Sequence, residues 1–76
     1  MTKVRILKYF GDDEFYRPVY QDQYGKLWKD IGLPNGTPDL FSVSGNTLDG
    51  EPYLPLTEEY TIAKKQNKAY EQDYER

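Results

Sequence analysis

The amino-acid sequence predicts a small α+β domain, an antiparallel sheet of three to five strands followed by a C-terminal helix. In the first half of the chain, short runs of alternating apolar and polar residues are separated by Gly, Pro and Asp, a pattern typical of strands and hairpins. From residue 57 to residue 76 there is no Gly or Pro, and tyrosines recur at helical spacing. The two patterns together indicate sheet first and helix last.

The 76 residues form one small domain in three parts. Residues 1–31 are the predicted β-meander, residues 32–56 are rich in loops with short strands, and residues 57–76 are a helical tail with a mobile distal end. A chain this short buries only about 60% of the surface that its unfolded form exposes, so its stability depends on close aromatic packing or on a partner.

The predicted meander has three strands. Residues 3–10 form the first, with Val4, Ile6 and Phe10 on one face. A polar turn at 11–14 leads to the second strand at 15–20, where Pro18 predicts an edge position or a bulge.

A type I turn at 22–25, with Gly25 in the left-handed region, leads to the third strand at 26–31. Trp28 on this strand is expected to lie in the core with Phe10 and with Phe15 or Tyr16.

The second half of the chain is less regular. Gly, Pro and Asn interrupt residues 32–39 too often for a strand, whereas residues 40–43 are a predicted short strand. Pro52 and Pro55 exclude a central strand at 49–56. Thr57, Glu58 and Glu59 are suited to begin a helix. Its apolar stripe, which docks on the sheet or on a partner, comprises Tyr60, Ala63, Asn67, Tyr70 and Tyr74.

Composition argues against catalysis. The chain has no His and no Cys, so it lacks the usual proton shuttle and thiolate nucleophile. Its acids lie in turns, as consecutive residues at 12–14 or around Gly50, and not at the alternating spacing of a calcium loop. We expect no enzyme activity, no cofactor and no metal.

Charge is distributed unevenly. The net charge is −3; residues 1–38 carry six bases and five acids, and residues 39–76 carry four bases and eight acids. This balance disfavours binding to double-stranded nucleic acid, which requires neutralisation of phosphates. No apolar run approaches the length of a membrane span, and we expect a cytoplasmic protein.

Aromatic residues are the strongest functional signal. Twelve of the residues are aromatic and eight of these are Tyr, a residue type enriched at interfaces. Tyrosines beside the bases of the first strands suit the stacking of single-stranded nucleic acid or the binding of a proline-rich peptide. Packing of the same rings beneath the helix is the alternative that we favour.

Two short segments carry a resemblance to known proteins. They are Tyr24-Gly25-Lys26-Leu27-Trp28-Lys29-Asp30-Ile31 and Asp49-Gly50-Glu51-Pro52, the latter followed by Pro55-Leu56. Residues 16–56 resemble small uncharacterised proteins of phages and mobile elements in gut-associated Gram-positive bacteria. The resemblance implies a bacterial host and a mobile genome, and it carries over no catalytic or binding residue.

We therefore expect a non-enzymatic protein-binding module. In the mobile-element setting, a natural version is an inhibitor of a host or bacterial defence complex that acts partly through an acidic, phosphate-mimicking surface. The alternative is a single-stranded nucleic-acid-binding protein that uses an aromatic and basic sheet face. The expected partner-binding residues are Tyr16, Tyr20, Tyr24, Asp49, Glu51, Glu58, Glu59, Tyr70 and Tyr74.

Overall fold

The computed structural model describes residues 4–34 and 36–63. Within these ranges the chain forms six strands and a single short 3-10 turn at Ser44–Asn46. The strands are β1 (Arg5–Asp12), β2 (Pro18–Gln21), β3 (Leu27–Asp30), β4 (Leu40–Val43), β5 (Pro52–Pro55) and β6 (Tyr60–Ile62).

The six strands form one sheet in the order β5-β4-β3-β2-β1-β6. Neighbours pair antiparallel from β1 through β5, which confirms the predicted three-stranded meander and extends it. β6 instead pairs parallel with the first half of β1, where Arg5 lies opposite Tyr60. β1 has a bulge between Tyr9 and Gly11, a feature that bends a strand.

The sheet curls, because β5 and β6 occupy its two edges and are joined by only the four residues 56–59. Across a flat sheet these edges would lie about 24 Å apart, at about 4.8 Å per strand. The five steps from Pro55 to Tyr60 can span at most about 17 Å. The sheet is therefore curved so that its two edges approach each other, as in a partly open barrel. We call the inner side of this curve the concave face.

Both faces of the sheet carry buried apolar residues. On the concave face Leu7, Trp28 and Leu40 form the main cluster, and the partly buried residues packed against it are Tyr20, Leu56, Tyr60 and Ile62. On the other face Val19, Leu27 and Val43 pack with Leu48. Leu48 belongs to residues 44–51, which cross this face between β4 and β5. The expected burial of Trp28 is confirmed.

The predicted C-terminal helix is wrong for the residues that the structure describes, so the α+β class is also wrong. Residues 4–34 and 36–63 contain strands and no α-helix, and Tyr60–Ile62 is a strand. Tyr60 and Ile62 face the core and Thr61 faces away from it, as expected for a strand. Over only three residues this alternation cannot be distinguished from the apolar stripe of a helix. β1 offers this segment unpaired backbone, and Ala63 continues the pairing with a hydrogen bond to the carbonyl of Leu7. Asn67, Tyr70 and Tyr74 of the predicted stripe lie outside the described residues.

Two expectations about the meander are also wrong. Phe10, Phe15 and Tyr16 are exposed and do not join Trp28 in the core, because residues 13–17 form a turn and Phe10 lies at the bulge. Pro18 was expected at a sheet edge or a bulge, but it begins β2, which lies between β1 and β3. At the first residue of a strand, the missing N–H of proline does not interrupt the hydrogen bonds of the strand centre. By contrast, β4 has the predicted bounds, and β5 is an edge strand, as its prolines require. No helix in the described ranges is long and apolar enough to cross a membrane.

Candidate functional site

The turn between β1 and β2, residues 13–17, is closed by the side chain of its first residue. Asp13 Oδ1 accepts hydrogen bonds from the backbone N–H groups of Phe15, at 2.9 Å, and Arg17, at 2.8 Å. The backbone of Asp13 also bonds to Arg17 and Tyr16. We call these residues the first turn.

The turn between β2 and β3, residues 22–26, repeats this arrangement and is called the second turn. Asp22 Oδ1 accepts from the N–H groups of Tyr24, at 2.8 Å, and Lys26, at 2.9 Å. The fourth position of each turn has a positive φ, 85° at Gly25 and 64° at Tyr16. The two turns have the same hydrogen bonds and differ in the residue at this strained position.

Tyr16 holds that strained position with its ring in solvent. A left-handed backbone costs an L-residue roughly 1–2 kcal/mol, and Gly avoids this cost. Tyr16 has 86% of its surface exposed, so core packing does not compensate. Strain kept at an exposed aromatic residue is a signal of function.

A buried ion-pair network fixes the first turn on the sheet. Asp13 Oδ2 contacts Arg17 Nε at 2.8 Å and Lys29 Nζ at 2.9 Å. Lys29 Nζ also donates to the carbonyl of Gly50 at 2.6 Å. Burial by itself raises the pKa of the Asp13 carboxyl, but hydrogen bonds from Lys29 and Arg17 outweigh it and hold this pKa well below its ordinary value.

Asp22 anchors the second turn in the same way. Its Oδ2 accepts from Arg5 at 2.7 Å and from the indole N–H of Trp28 at 3.0 Å. Burial raises the pKa of Asp22, and the hydrogen bonds from Trp28, Lys26, Arg5 and Tyr24 lower it further than burial raises it. The Arg5 guanidinium lies 5.0 Å from the centre of the Trp28 ring, within the range of a cation–π contact.

An open groove of about 660 Å³ lies between the first turn and the loop that joins β3 to β4. Its volume is in the range of ligand-binding clefts. Phe15 is 66% exposed, and Leu33, which lies in the β3–β4 loop, is 79% exposed. The apolar and aromatic lining residues are Phe15, Tyr16, Pro18, Tyr20, Ile31, Leu33, Pro34 and Pro38.

The polar groups of the groove are held in place and carry negative charge. Asp30 Oδ1 accepts from the N–H groups of Gly32 and Asp39, both at 2.9 Å, and so braces the β3–β4 loop. Burial, followed by the charges of Asp30 and Asp12, raises the pKa of the Tyr20 hydroxyl. Arg17 also lines the groove, where it pairs with Asp13, an acid that it shares with Lys29, and its guanidinium lies 5.0 Å from the Phe15 ring centre.

The expected tyrosine site is divided by the structure. Tyr16 and Tyr20 line the groove. Tyr24 lies in the second turn, at the other end of β2, and is exposed. Tyr70 and Tyr74 lie outside the described residues.

The expected acidic residues lie in two separate places, Asp49 and Glu51 before β5 and Glu58 and Glu59 between β5 and β6. Asp49 accepts a hydrogen bond from the N–H of Glu14, just beyond the C-terminal end of β1. Glu58 pairs with Arg5 at the N-terminal end of the same strand. Glu51 and Glu59 are exposed, and their backbone carbonyls bond to Ser44 and Arg5.

Of the twelve described residues that line the groove, the expected site included only Tyr16 and Tyr20. The sequence predicts Phe15 and Ile31 as strand residues, and Leu33, Pro34 and Pro38 as connecting residues. The signal that was present is the pair Leu33-Pro34 within a segment of turn residues, since an apolar side chain in such a segment has no strand to carry it into the core.

Three of the five described bases of the meander already pair with acids. Arg5, Arg17 and Lys29 form ion pairs with acids, and Lys26 lies over the Trp28 ring at 4.9 Å. This pairing lowers the positive potential available to phosphates. Across residues 4–34 and 36–63 no three acids form a group that could hold a metal ion.

Comparison of the sequence with protein-family models found no match, and neither did comparisons with curated proteins and with solved structures.

Proposed function

We propose that this chain is a non-enzymatic protein-binding module and that the groove beside the first turn is its contact site. The observation that carries the proposal is Tyr16, an exposed aromatic residue kept at positive φ where the matching turn has Gly25. The ion pairs of Asp13 hold this turn in place before any partner arrives, which reduces the ordering cost of binding.

The groove has the composition of an interface core. Tyr, Phe and Leu side chains are exposed next to one another there, and aromatic residues are the ones enriched at such sites. Exposed apolar patches of this kind are common at interaction surfaces, which supports the proposal.

The inhibitory role and the phosphate-mimicking surface remain predictions from charge and setting. The separation of Asp49 and Glu58 along β1 favours the groove over the acidic residues as the first surface to test.

Affinity capture with matched variants tests the proposal. Phe15→Ser and Leu33→Ser remove exposed groove residues, and Tyr24→Ser is the control. Tyr24 holds the same turn position as Phe15 and has the same 66% exposure. We expect wild type and Tyr24→Ser to retain a protein partner from bacterial extract that both groove variants lose. Direct binding of the purified partner must then reproduce this ranking.

A partner retained equally by all four proteins would refute the groove as the site. Failure of the wild-type chain to bind any purified candidate directly would refute the binding role. Circular dichroism of each variant checks that the fold is intact.

A further inference from the structure

We infer that the groove binds an extended, proline-containing segment of its partner that also carries an arginine or lysine side chain. The inference rests on the proposed function and names the chemistry of the partner. Three features of the groove lead to it: its walls, its few free backbone donors, and its charge.

Aromatic and apolar side chains line both walls. Phe15 and Tyr16 lie on one side, Leu33 and Pro34 lie on the other, and Tyr20 lies between the two loops. Aromatic faces pack well against pyrrolidine rings, and aromatic-lined grooves bind polyproline II segments in this manner. Asp13 and Asp30 brace the two sides, so the groove is formed in advance.

The groove is poorly suited to an added β-strand. A strand requires a row of backbone donors and acceptors, and three lining positions are proline, which has no N–H. A polyproline II segment does not pair its backbone with a neighbouring strand, so it needs only a few isolated hydrogen-bond donors for its carbonyl groups. The Tyr20 hydroxyl makes no hydrogen bond with any described residue, and it is suited to be such a donor.

The charge of the groove selects a basic side chain. Asp30 Oδ1 is occupied by two backbone N–H groups, whereas its Oδ2 has no hydrogen-bond partner among residues 4–34 and 36–63. Asp12, whose Oδ1 accepts from the Tyr9 hydroxyl, adds a second negative charge opposite Pro18 in the β1–β2 pairing. Arg17, the one cation among the described lining residues, already pairs with Asp13, which it shares with Lys29. An arginine or lysine of the bound segment would therefore meet an uncompensated carboxylate.

Selection from a library of random peptides of about twelve residues, displayed on phage and panned on the immobilised full chain, tests this chemistry. We expect enrichment of peptides that combine proline with arginine or lysine. The strongest of these peptides, made synthetically, should shift the backbone amide signals of the first turn and the β3–β4 loop in NMR titrations. Phe15→Ser should weaken its binding by about tenfold or more, and Tyr24→Ser should leave it unchanged.

A charge-neutral substitution separates the basic preference from the proline preference. In Asp30→Asn the side-chain oxygen still accepts the two loop N–H groups, but the charge is lost. Binding of the selected peptide should fall by about tenfold, and binding of its version with alanine in place of the basic residue should not change. Asp49→Asn, which removes a charge on the other face, is the control and should change neither.

Three results would overturn the inference: no enrichment, enrichment of peptides without proline or with acidic residues, or amide shifts centred on the second turn. Each leaves the proposed function standing if Phe15→Ser and Leu33→Ser still abolish capture of the partner. If these variants leave that capture intact while the peptides bind the groove, the partner proposal fails instead.

Discussion

Aspartate side chains determine the local geometry on both sides of β2. Asp13 and Asp22 each accept two backbone N–H groups with one oxygen and bind cationic or N–H donors with the other. Each carboxylate therefore closes its turn with one oxygen and fixes that turn to the sheet with the other. The fourth position of the two turns differs, with Tyr16 in the first and Gly25 in the second.

Replacing Tyr16 with glycine should stabilise the fold while weakening partner binding. The substitution removes the cost of a positive φ, about 1–2 kcal/mol, and adds chain entropy to the unfolded state, about 0.4–1 kcal/mol. We expect a net gain of about 0.5–1 kcal/mol in urea unfolding. Tyr24→Gly, which changes a neighbouring position without positive φ, should give no gain. A loss of stability in Tyr16→Gly would mean that the ring makes compensating contacts.

Breaking the buried pair of Asp13 and Lys29 should destabilise the protein severely. Asp13→Asn leaves a fully buried ammonium facing an amide, and such a loss costs about 3–5 kcal/mol. Lys29→Met in the Asp13→Asn background removes the unpaired cation, so the double variant should be more stable than Asp13→Asn alone. Denaturant unfolding of the four proteins gives the coupling energy. Additive effects would argue against a direct pair.

Acid should unfold the protein through the same carboxylates. Asp13 and Asp22 have pKa values below the ordinary value in the folded state, so the stability that they supply is complete above about pH 4–5. It is lost as pH falls below about 4, because the unfolded chain then binds protons more readily than the folded one. Unfolding free energies measured from pH 7 to pH 2 should decline at the acid end, and less steeply in Asp22→Asn. A decline that begins near pH 6 would implicate other groups.

Sequence reasoning at the residue scale succeeded where the turn residue is diagnostic. Gly25 predicted the second turn correctly, because glycine is the usual residue at positive φ. The first turn has the same hydrogen bonds but has Tyr16 at the position of Gly25. The sequence therefore predicts a strand at 15–20 in place of the turn, with Phe15 or Tyr16 in the core. The role of Asp13 depends on Lys29 reaching it from β3, a contact that local patterns do not contain.

Among the elements, β6 decides whether the sheet can bury its concave face. Tyr60 and Ile62 pack on the cluster of Leu7, Trp28 and Leu40, and the strand supplies backbone partners to the first half of β1. The segment was predicted as a helix because Thr57, Glu58 and Glu59 suit a helix start and tyrosines continue at helical spacing. Three residues are too few for periodicity to distinguish the two, and pairing with β1 decides the outcome.

Two truncations separate the contribution of β6 from that of the residues beyond it. A chain ending after Asn67 retains all six strands and should unfold cooperatively, with Trp28 fluorescence as the probe. A chain ending after Glu59 loses β6 and two partly buried side chains, each worth part of the about 1.5–3 kcal/mol of full burial, and should not fold stably. If the shorter chain kept the wild-type midpoint, the contribution assigned to β6 would be wrong. Whether the Asn67 truncation also weakens partner binding, as the sequence predicts, is measured in the same capture experiment.

For the whole molecule, the sequence predicted the linear arrangement of strands better than their closure. The alternation within residues 3–31 is local, so the meander could be derived from it. The ion pair of Arg5 and Glu58 joins positions 53 residues apart, and no local pattern encodes such a meeting. The groove shares this property, since its two sides come from the β1–β2 and β3–β4 connections and become neighbours only in the folded sheet.

The parallel pairing of β1 with β6 has a consequence for the folding pathway. The two aspartate turns join residues four positions apart and can form early with little loss of chain entropy, whereas docking of β6 must close a loop of nearly the whole described chain. The meander then forms first and β6 adds last, so in native-state hydrogen exchange the amide of Ala63 should open at a lower free energy than that of Lys26. Each such opening would uncover the edge of β1 for a moment while leaving the turns, and the groove beside them, intact.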